Sequence, residues 1–318
     1  MKKELGISVL LLILCAVTAL LNPKFVSPVN LGNMANVIGL FGIFSIGLGL
    51  VIITGGIDLS VGSMFALSGI LLAMALRDWQ WPWPVAALLA LGIPMLLGWA
   101  HGALITRLHI QPFIITLCGL LIYRGLARFI ANDNTKGFGD AQGFGTLRDL
   151  SIGKVLGLPM PFVLLLAIAV VMWFVLHRST YGRYLFAVGR NEEATRFSGI
   201  NTRKVIASSY VVAGLLTGIS GILLAFYTNS ISPSNHGNFY ELYGIAAAVL
   251  GGCSLRGGEG SIIGIVIGTA LLQVLQNLVN LLGIPSSLNF AVMGAVVLIG
   301  VLGDQLFQRR AERKLSKQ

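Results

Sequence analysis

Long apolar runs alternate along this chain with short polar breaks. Runs close to the ~20 residues needed to cross a bilayer occupy approximately 6–21, 33–54, 60–76, 84–106, 112–131, 160–177, 204–227, 241–253, 261–282 and 288–303. Within lipid every backbone polar group must be satisfied by the segment itself, so each run is predicted to be a helix. The expected fold is all-α: a polytopic membrane protein of about ten transmembrane helices, with residues 1–318 forming one transmembrane domain. The run at 241–253 is short and the one at 33–54 is glycine-rich, which makes these two the candidates for broken or re-entrant helices.

Two polar stretches are too long to be simple connectors, which rarely exceed about eight residues between neighbouring helices. One covers about 181–201 and includes YGRYLFAVGRNEEATRFSG at Tyr181–Gly199. Asn191 followed by Glu192, Glu193 and Ala194 is a helix-start pattern, with a capping amide and carboxylates in the first turn. A small helix on the membrane surface is expected there, suited to docking a soluble partner. The other stretch, about 132–158, carries Asp133, Asp140 and Asp149 against three basic residues. It reads equally as a landing surface for an external partner or as a solvated loop.

Composition agrees with the pattern. Hydrophobic residues make up 55% of the chain, charged residues only 11%, and the mean hydropathy is +0.84, whereas soluble domains carry about 25% charged residues. The net charge of +10 does not point to nucleic acid, because the basic residues sit between and beyond the apolar runs. Placing both termini in the cytoplasm puts Lys2, Lys3, Arg107, Arg178, Arg183, Arg190, Arg196, Arg203, Lys204, Arg256 and the basic C-terminal tail inside. Only Lys24, Arg77, Lys136, Arg148 and Lys154 then lie outside, as the positive-inside rule requires. Trp79, Trp81 and Trp83 fall where an outer aromatic belt belongs. The N-terminal run lacks a small-x-small cleavage site before Asn22-Pro23-Lys24, so a retained first span is expected.

No enzymatic motif is present. The phosphate-binding G-x-x-x-x-G-K-[ST] loop is missing, as are H-E-x-x-H and G-x-S-x-G. His101, His109, His177 and His236 are scattered and read as span ends or interfaces, with no metal-ligand spacing. Cys15, Cys118 and Cys253 read as small buried residues. The candidate polar positions lie elsewhere. Asp58 follows Gly55-Gly56 near a membrane boundary and reads as a helix cap or, if deeper, as a functional acid. Arg124 and Arg128 share a helical face and either snorkel to headgroups or line an outer mouth.

The ninth span is more telling. Gln273, Gln276, Asn277 and Asn280 recur at helical spacing and form one amide stripe on an otherwise apolar helix. Such a stripe must face protein or water. It serves either interhelical hydrogen bonding or a polar route for an uncharged, hydroxyl-rich solute, to which Asn33, Asn36 and Asn289 are candidates to add. The scarcity of intramembrane charge favours a neutral solute over an ion. A local repeat also stands out: GGIDLSVG at Gly55–Gly62 and GGCSLRGG at Gly251–Gly258 share Gly-Gly-x-polar-Leu-x-x-Gly, and are expected to be two matched turns.

Three segments together carry a family resemblance: VIITGGIDLSVGS at Val51–Ser63, AVGRNEEATRFSGI at Ala187–Ile200 and VLGGCSLRGGEGSIIG at Val249–Gly264. In this order they resemble the sugar-type ABC importer permeases, the membrane subunits of ribose, xylose, arabinose, galactose and rhamnose uptake systems. The likeness runs from about Pro28 to Gly303. It implies a vitamin-B12-importer-like (type II) permease fold in a bacterial inner membrane. It also implies a second permease copy, a cytoplasmic ABC ATPase that binds ATP and Mg in this chain's stead, a periplasmic sugar-binding protein and a small neutral sugar as solute. By the same resemblance Gly189, Asn191, Glu192, Glu193, Ala194 and Gly199 belong to the helix that couples to the ATPase. Arg190 and Thr195 stand where relatives often have Gly or Asn and Ala.

Two other functions fit the same spans. Branched-chain amino-acid permeases are relatives with the same machinery and a zwitterionic solute. A stand-alone secondary transporter needs a coupling-ion site, for which Asp58 and Glu241 are the candidate acids.

Overall fold

A computed structural model describes residues 2–139 and 142–285, with positions 288, 291, 292, 294, 295 and 298 beyond them. Helices dominate. In chain order they are α1 (Lys2–Leu21), α2 (Pro28–Ile53), α3 (Val61–Ala73, continued by a π-helical turn at Met74–Asp78), α4 (Trp83–Leu108), α5 (Pro112–Ile130) and α6 (Gly145–Ile152). After them come α7 (Met160–Arg178), α8 (Thr180–Arg190), α9 (Glu192–Phe197), α10 (Thr202–Thr228), α11 (Tyr240–Leu250) and α12 (Ile262–Leu281). Among the described residues eight helices are long and apolar enough to cross a membrane, and α11 is a shorter apolar one. The chain is a multi-pass membrane protein. The expected span at 288–303 and Asn289 lie outside the described residues.

Burial sorts these helices by role. The core is built on α2, where Ile43, Phe44, Ile46, Leu48, Leu50, Val51, Ile52 and Ile53 are all almost wholly enclosed. It is wrapped by α7, α10, α11 and α12, while α4 packs along α10. Helices α1, α5 and α7 turn much of their apolar surface outward, as helices bordering lipid do. Cys118 is a correction to the expectation of buried cysteines: it is exposed on α5, whose neighbouring Leu117 and Leu121 also face out, and only Cys253 is fully buried. Glycine-rich α2 runs unbroken from Pro28 to Ile53.

The short run at 241–253 is the interrupted one: its helix covers only Tyr240–Leu250 and follows a partly buried non-helical segment. Helices α2 and α11 end in the same way, with Gly55 (φ 83°) and Gly252 (φ 94°) in the left-handed region. Gly56 and Cys253 donate five residues back, to Val51 and Ala248, which satisfies carbonyls a helix end would strand. Asp58 then accepts from the Ser60 amide at 2.9 Å, and Ser254 accepts from the Arg256 amide at 3.2 Å. The two sequence repeats are two turns with the same internal side-chain bond. Between α10 and α11, residues 229–239 form no helix, yet Ile231, Pro233, His236 and Gly237 are buried.

Two strands, Lys154–Val155 and Leu158–Pro159, make a small antiparallel hairpin after α6. The stretch 132–158 thus carries local structure of its own. Phe138 stacks on Phe226 of α10 with centroids 4.3 Å apart, and Lys136 bridges to Ile231. These contacts mark one end of the bundle. The other end holds α8, α9 and the two glycine turns, and is rich in arginine.

Candidate functional site

A cavity of about 510 Å³ opens among α2, α10, α11 and α12, within the ~300–1,000 Å³ span of small-molecule sites. Its wall is a set of carboxamides: Asn30 and Asn33 on α2, Gln273, Gln276, Asn277 and Asn280 on α12, and Asn238 from the non-helical segment. Tyr227, Tyr240 and Tyr243 add phenols, and among the described residues no Asp, Glu, Lys, Arg or His lines it. Amides supply both donors and acceptors without net charge.

Helix geometry explains the convergence. Residues three and four apart share a face, so Gln273, Gln276, Asn277 and Asn280 form one row, and Asn30 and Asn33 lie on the face of α2 that leads inward to Val37, Leu40 and Phe41. Asn30 and Asn277 exchange two side-chain hydrogen bonds, 3.1 Å and 2.8 Å, and Asn30 also donates to the Phe25 carbonyl. Ten residues of helix separate Asn30 from Leu40, about 15 Å at the usual rise. There the cavity ends on an aromatic floor. Phe41 and Tyr240 stand 4.6 Å apart, Phe44 and Phe65 5.2 Å, and Phe65 and Tyr240 6.1 Å between centroids. The seam among Leu40, Phe41, Phe44, Phe65, Ser220, Leu224 and Tyr240 leaves no room for water.

Of the residues singled out in the sequence, Asn33, Gln273, Gln276, Asn277 and Asn280 come together in this cavity. Asn36, Asp58 and Arg124 do not line it. Asn36 is rotated off the face shared by Asn30 and Asn33. Asp58 is buried in the turn between α2 and α3, where Ser60 donates to it from backbone and hydroxyl. Close by, His101 of α4 and Tyr123 of α5 share a 2.7 Å hydrogen bond in a buried contact. Arg128 points away from Arg124 to an ion pair with Asp133 at 2.6 Å, a hydrogen bond that holds the Asp133 carboxyl below its usual range. Asn30, Asn238, Tyr227, Tyr240 and Tyr243 carried no recognisable sequence signal, because they come from separate elements.

A second site lies at the arginine-rich end. The polar segment there folds as two helices, α8 and α9, joined at Asn191, whose side chain caps α9 by accepting from the Ala194 amide at 2.9 Å. Glu192 accepts from the Thr202 hydroxyl at 3.1 Å, which ties α9 to the start of α10. Asn191, Glu192, Glu193, Ala194 and Gly199 are exposed, and Gly199 closes α9 with φ 81°. Phe197 is 78% exposed on the same short helix, with the Arg196 guanidinium 5.7 Å from its ring. Gly189 faces inward instead. A Cβ there would overlap the Ile53 carbonyl and the Gly258 amide, and these two groups are themselves hydrogen-bonded at 2.8 Å. The ends of α2 and α8 and the α11–α12 turn therefore meet backbone to backbone.

Comparison with known proteins follows the same lines. The family described as "Branched-chain amino acid transport system / permease component" matches residues 30–301. The chain is 38% identical over 304 residues to the ribose import permease protein RbsC of Bacillus subtilis, covering 95% of this chain and 93% of that one. It is 35% identical over 276 residues to the galactofuranose transporter permease protein YtfT of Escherichia coli (86% and 78% covered). To the fructose import permease protein FrcC of Rhizobium meliloti it is 30% identical over 310 residues (95% and 85% covered). No solved structure matches the chain significantly.

Proposed function

This chain belongs to the permease-component family of the branched-chain amino acid transport systems, and from that premise we propose that it is the membrane subunit of an ABC importer for a neutral monosaccharide. As a permease it is a transport component and not an enzyme. The observation that carries the solute class is the cavity lined by seven carboxamides and three phenols, with no charged side chain among the described residues. Such a lining exchanges hydrogen bonds with sugar hydroxyls, while a zwitterionic amino acid would leave its ammonium and carboxylate without charged partners, at a cost that grows with desolvation. Relatives named for ribose import, fructose import and galactofuranose transport support the same reading.

The arginine-rich end faces the cytoplasm of a bacterium, both termini lie on that side of its inner membrane, and the cavity opens to the periplasm, where a sugar-binding protein delivers the solute. The exposed α9, with Glu192, Glu193 and Phe197, is the docking surface for a separate ATPase, which holds the ATP and Mg. A second permease copy completes the pathway. With the aromatic floor shut, this arrangement is the outward-open state. Nucleotide on the ATPase and the loaded binding protein favour different states of the permease pair, and that difference in affinity drives the alternation.

Gentle purification of the tagged chain from its native membrane, followed by mass spectrometry, tests the assembly. Recovery of a protein bearing the phosphate-binding loop, lost when 189–199 is scrambled, is the expected result. A chain that purifies alone and moves solute without ATP would instead be a secondary transporter.

A further inference from the structure

The non-helical segment between α10 and α11 poses a physical problem. It enters the bundle with buried backbone at Pro233, His236 and Gly237, and irregular backbone at membrane depth survives only where other protein groups satisfy it. Arg124 of α5 does so. One terminal guanidinium nitrogen donates to the carbonyls of His236 at 2.8 Å and Pro233 at 3.2 Å. The other donates to Gly62, at the start of α3, at 3.2 Å. Glu241, buried in the first turn of α11, places its carboxylate against Gly62, the residue whose carbonyl Arg124 holds. Gly62 and Gly237 touch so closely that a Cβ on Gly62 would collide with the Gly237 carbonyl and the Glu241 carboxylate.

The corner held in this way is strained. Phe239 has φ 64°, a region a bulky residue occupies only when its surroundings impose it. Its two neighbours, Asn238 and Tyr240, both line the cavity. We infer that Arg124, with Glu241 as its counter-charge, is the positioning residue of the solute cavity: from behind the wall it pins the strained corner that presents Asn238 and Tyr240. Lysine cannot replace it, because a single ammonium lacks the planar fork that reaches carbonyls on two different elements.

The inference rests on reading the cavity as the solute pathway, and its test separates the two claims. In complex purified from membranes, with Cys15→Ala, Cys118→Ala and Cys253→Ala as background, Asn238→Cys and Asn33→Cys report cavity occupancy through labelling by a membrane-impermeant thiol reagent. Ribose is the probe solute. Without further change, both positions are expected to be protected. Adding Arg124→Gln should abolish protection at position 238 while position 33 keeps it. Amide exchange across 232–239 should quicken by about tenfold or more while the rest of the bundle is unchanged. Glu241→Gln should produce the same pattern more weakly, and Arg124→Lys should not restore it. Unchanged protection and exchange in Arg124→Gln would overturn the inference, and so would loss of protection at both positions with faster exchange throughout, the sign of general unfolding. If ribose and other monosaccharides protect neither position in the parent, and complex with native Asn33 and Asn238 transports none of them either, the sugar reading fails, and the exchange comparison alone still decides the role of Arg124.

Discussion

The amide of Gly258 donates to the carbonyl of Ile53 at 2.8 Å, so the turn before α12 is hydrogen-bonded to the end of α2. Both helices line the carboxamide cavity at their far ends. Gly189, at the end of α8, is packed on this bond. A displacement of α8 and α9 therefore reaches two cavity helices through backbone contacts, with no flexible side chain to absorb it.

Gly189→Ala places a methyl group in that contact. Overpacking of this kind costs about 1–3 kcal/mol, and uptake is expected to fall about tenfold or more while the protein still reaches the membrane. Gly252→Ala is the control, since φ 94° strains the variant but its Cβ meets nothing within 4 Å. Initial uptake rates, normalised to membrane-embedded protein, compare the two.

Gln273 is 5% exposed and lines the cavity. Gln273→Leu removes its donors and acceptor without adding charge. With each hydrogen bond worth about 0.5–1.5 kcal/mol, transport of the sugar should drop by about 5- to 150-fold for two bonds lost. Rates at saturating loaded binding protein measure this.

How much of this was legible in the chain can be argued from these residues. The amide row of α12 was visible, because 273, 276, 277 and 280 repeat at the period of a helix. Asn191 was equally visible as a cap. Its partner helix α8 was not, since the preceding residues read only as a basic polar connector. The non-helical segment before α11 was hidden for a stronger reason. NSISPSNHGNF reads as an ordinary polar loop, and its burial depends on Arg124, more than a hundred residues earlier in the chain. The spacing of Arg124 and Arg128 suggested one shared role, yet the two part because only one of them meets carbonyls to satisfy. Asn30, Asn238 and the three tyrosines share no period, and only packing brings them together.

The reciprocal amide pair of Asn30 and Asn277 should be energetically coupled. Asn30→Ala and Asn277→Ala are each expected to destabilise the protein by about 1 kcal/mol, and the double variant by less than the sum. Thermal unfolding in detergent of all four proteins closes the cycle, and strict additivity would show the pair to be incidental.

Tyr123→Phe removes the hydroxyl that pairs with His101 Nε2 at 2.7 Å. His101 Nδ1 already lacks a partner among the described residues, so the variant leaves the buried ring wholly unsatisfied at a cost of about 1–3 kcal/mol. The double variant His101→Leu with Tyr123→Phe should recover part of that loss, because neither polar group then remains. Unfolding midpoints at fixed detergent concentration decide it.

Phe197→Glu replaces an exposed ring on α9, beside the Arg196 guanidinium, with a carboxylate. Membrane insertion should be unaffected, while recovery of the ATPase with the tagged chain falls several-fold. Equal recovery would move the docking contact elsewhere on the arginine-rich end.

The central claim is that this chain passes an uncharged sugar under ATP drive. Its most direct test is solute uptake by proteoliposomes holding the complex captured from native membranes, supplied with labelled monosaccharides or labelled branched-chain amino acids. The account predicts uptake of a monosaccharide that requires ATP and no transport of leucine. ATP-dependent leucine uptake without sugar uptake, or sugar movement indifferent to ATP, would contradict it.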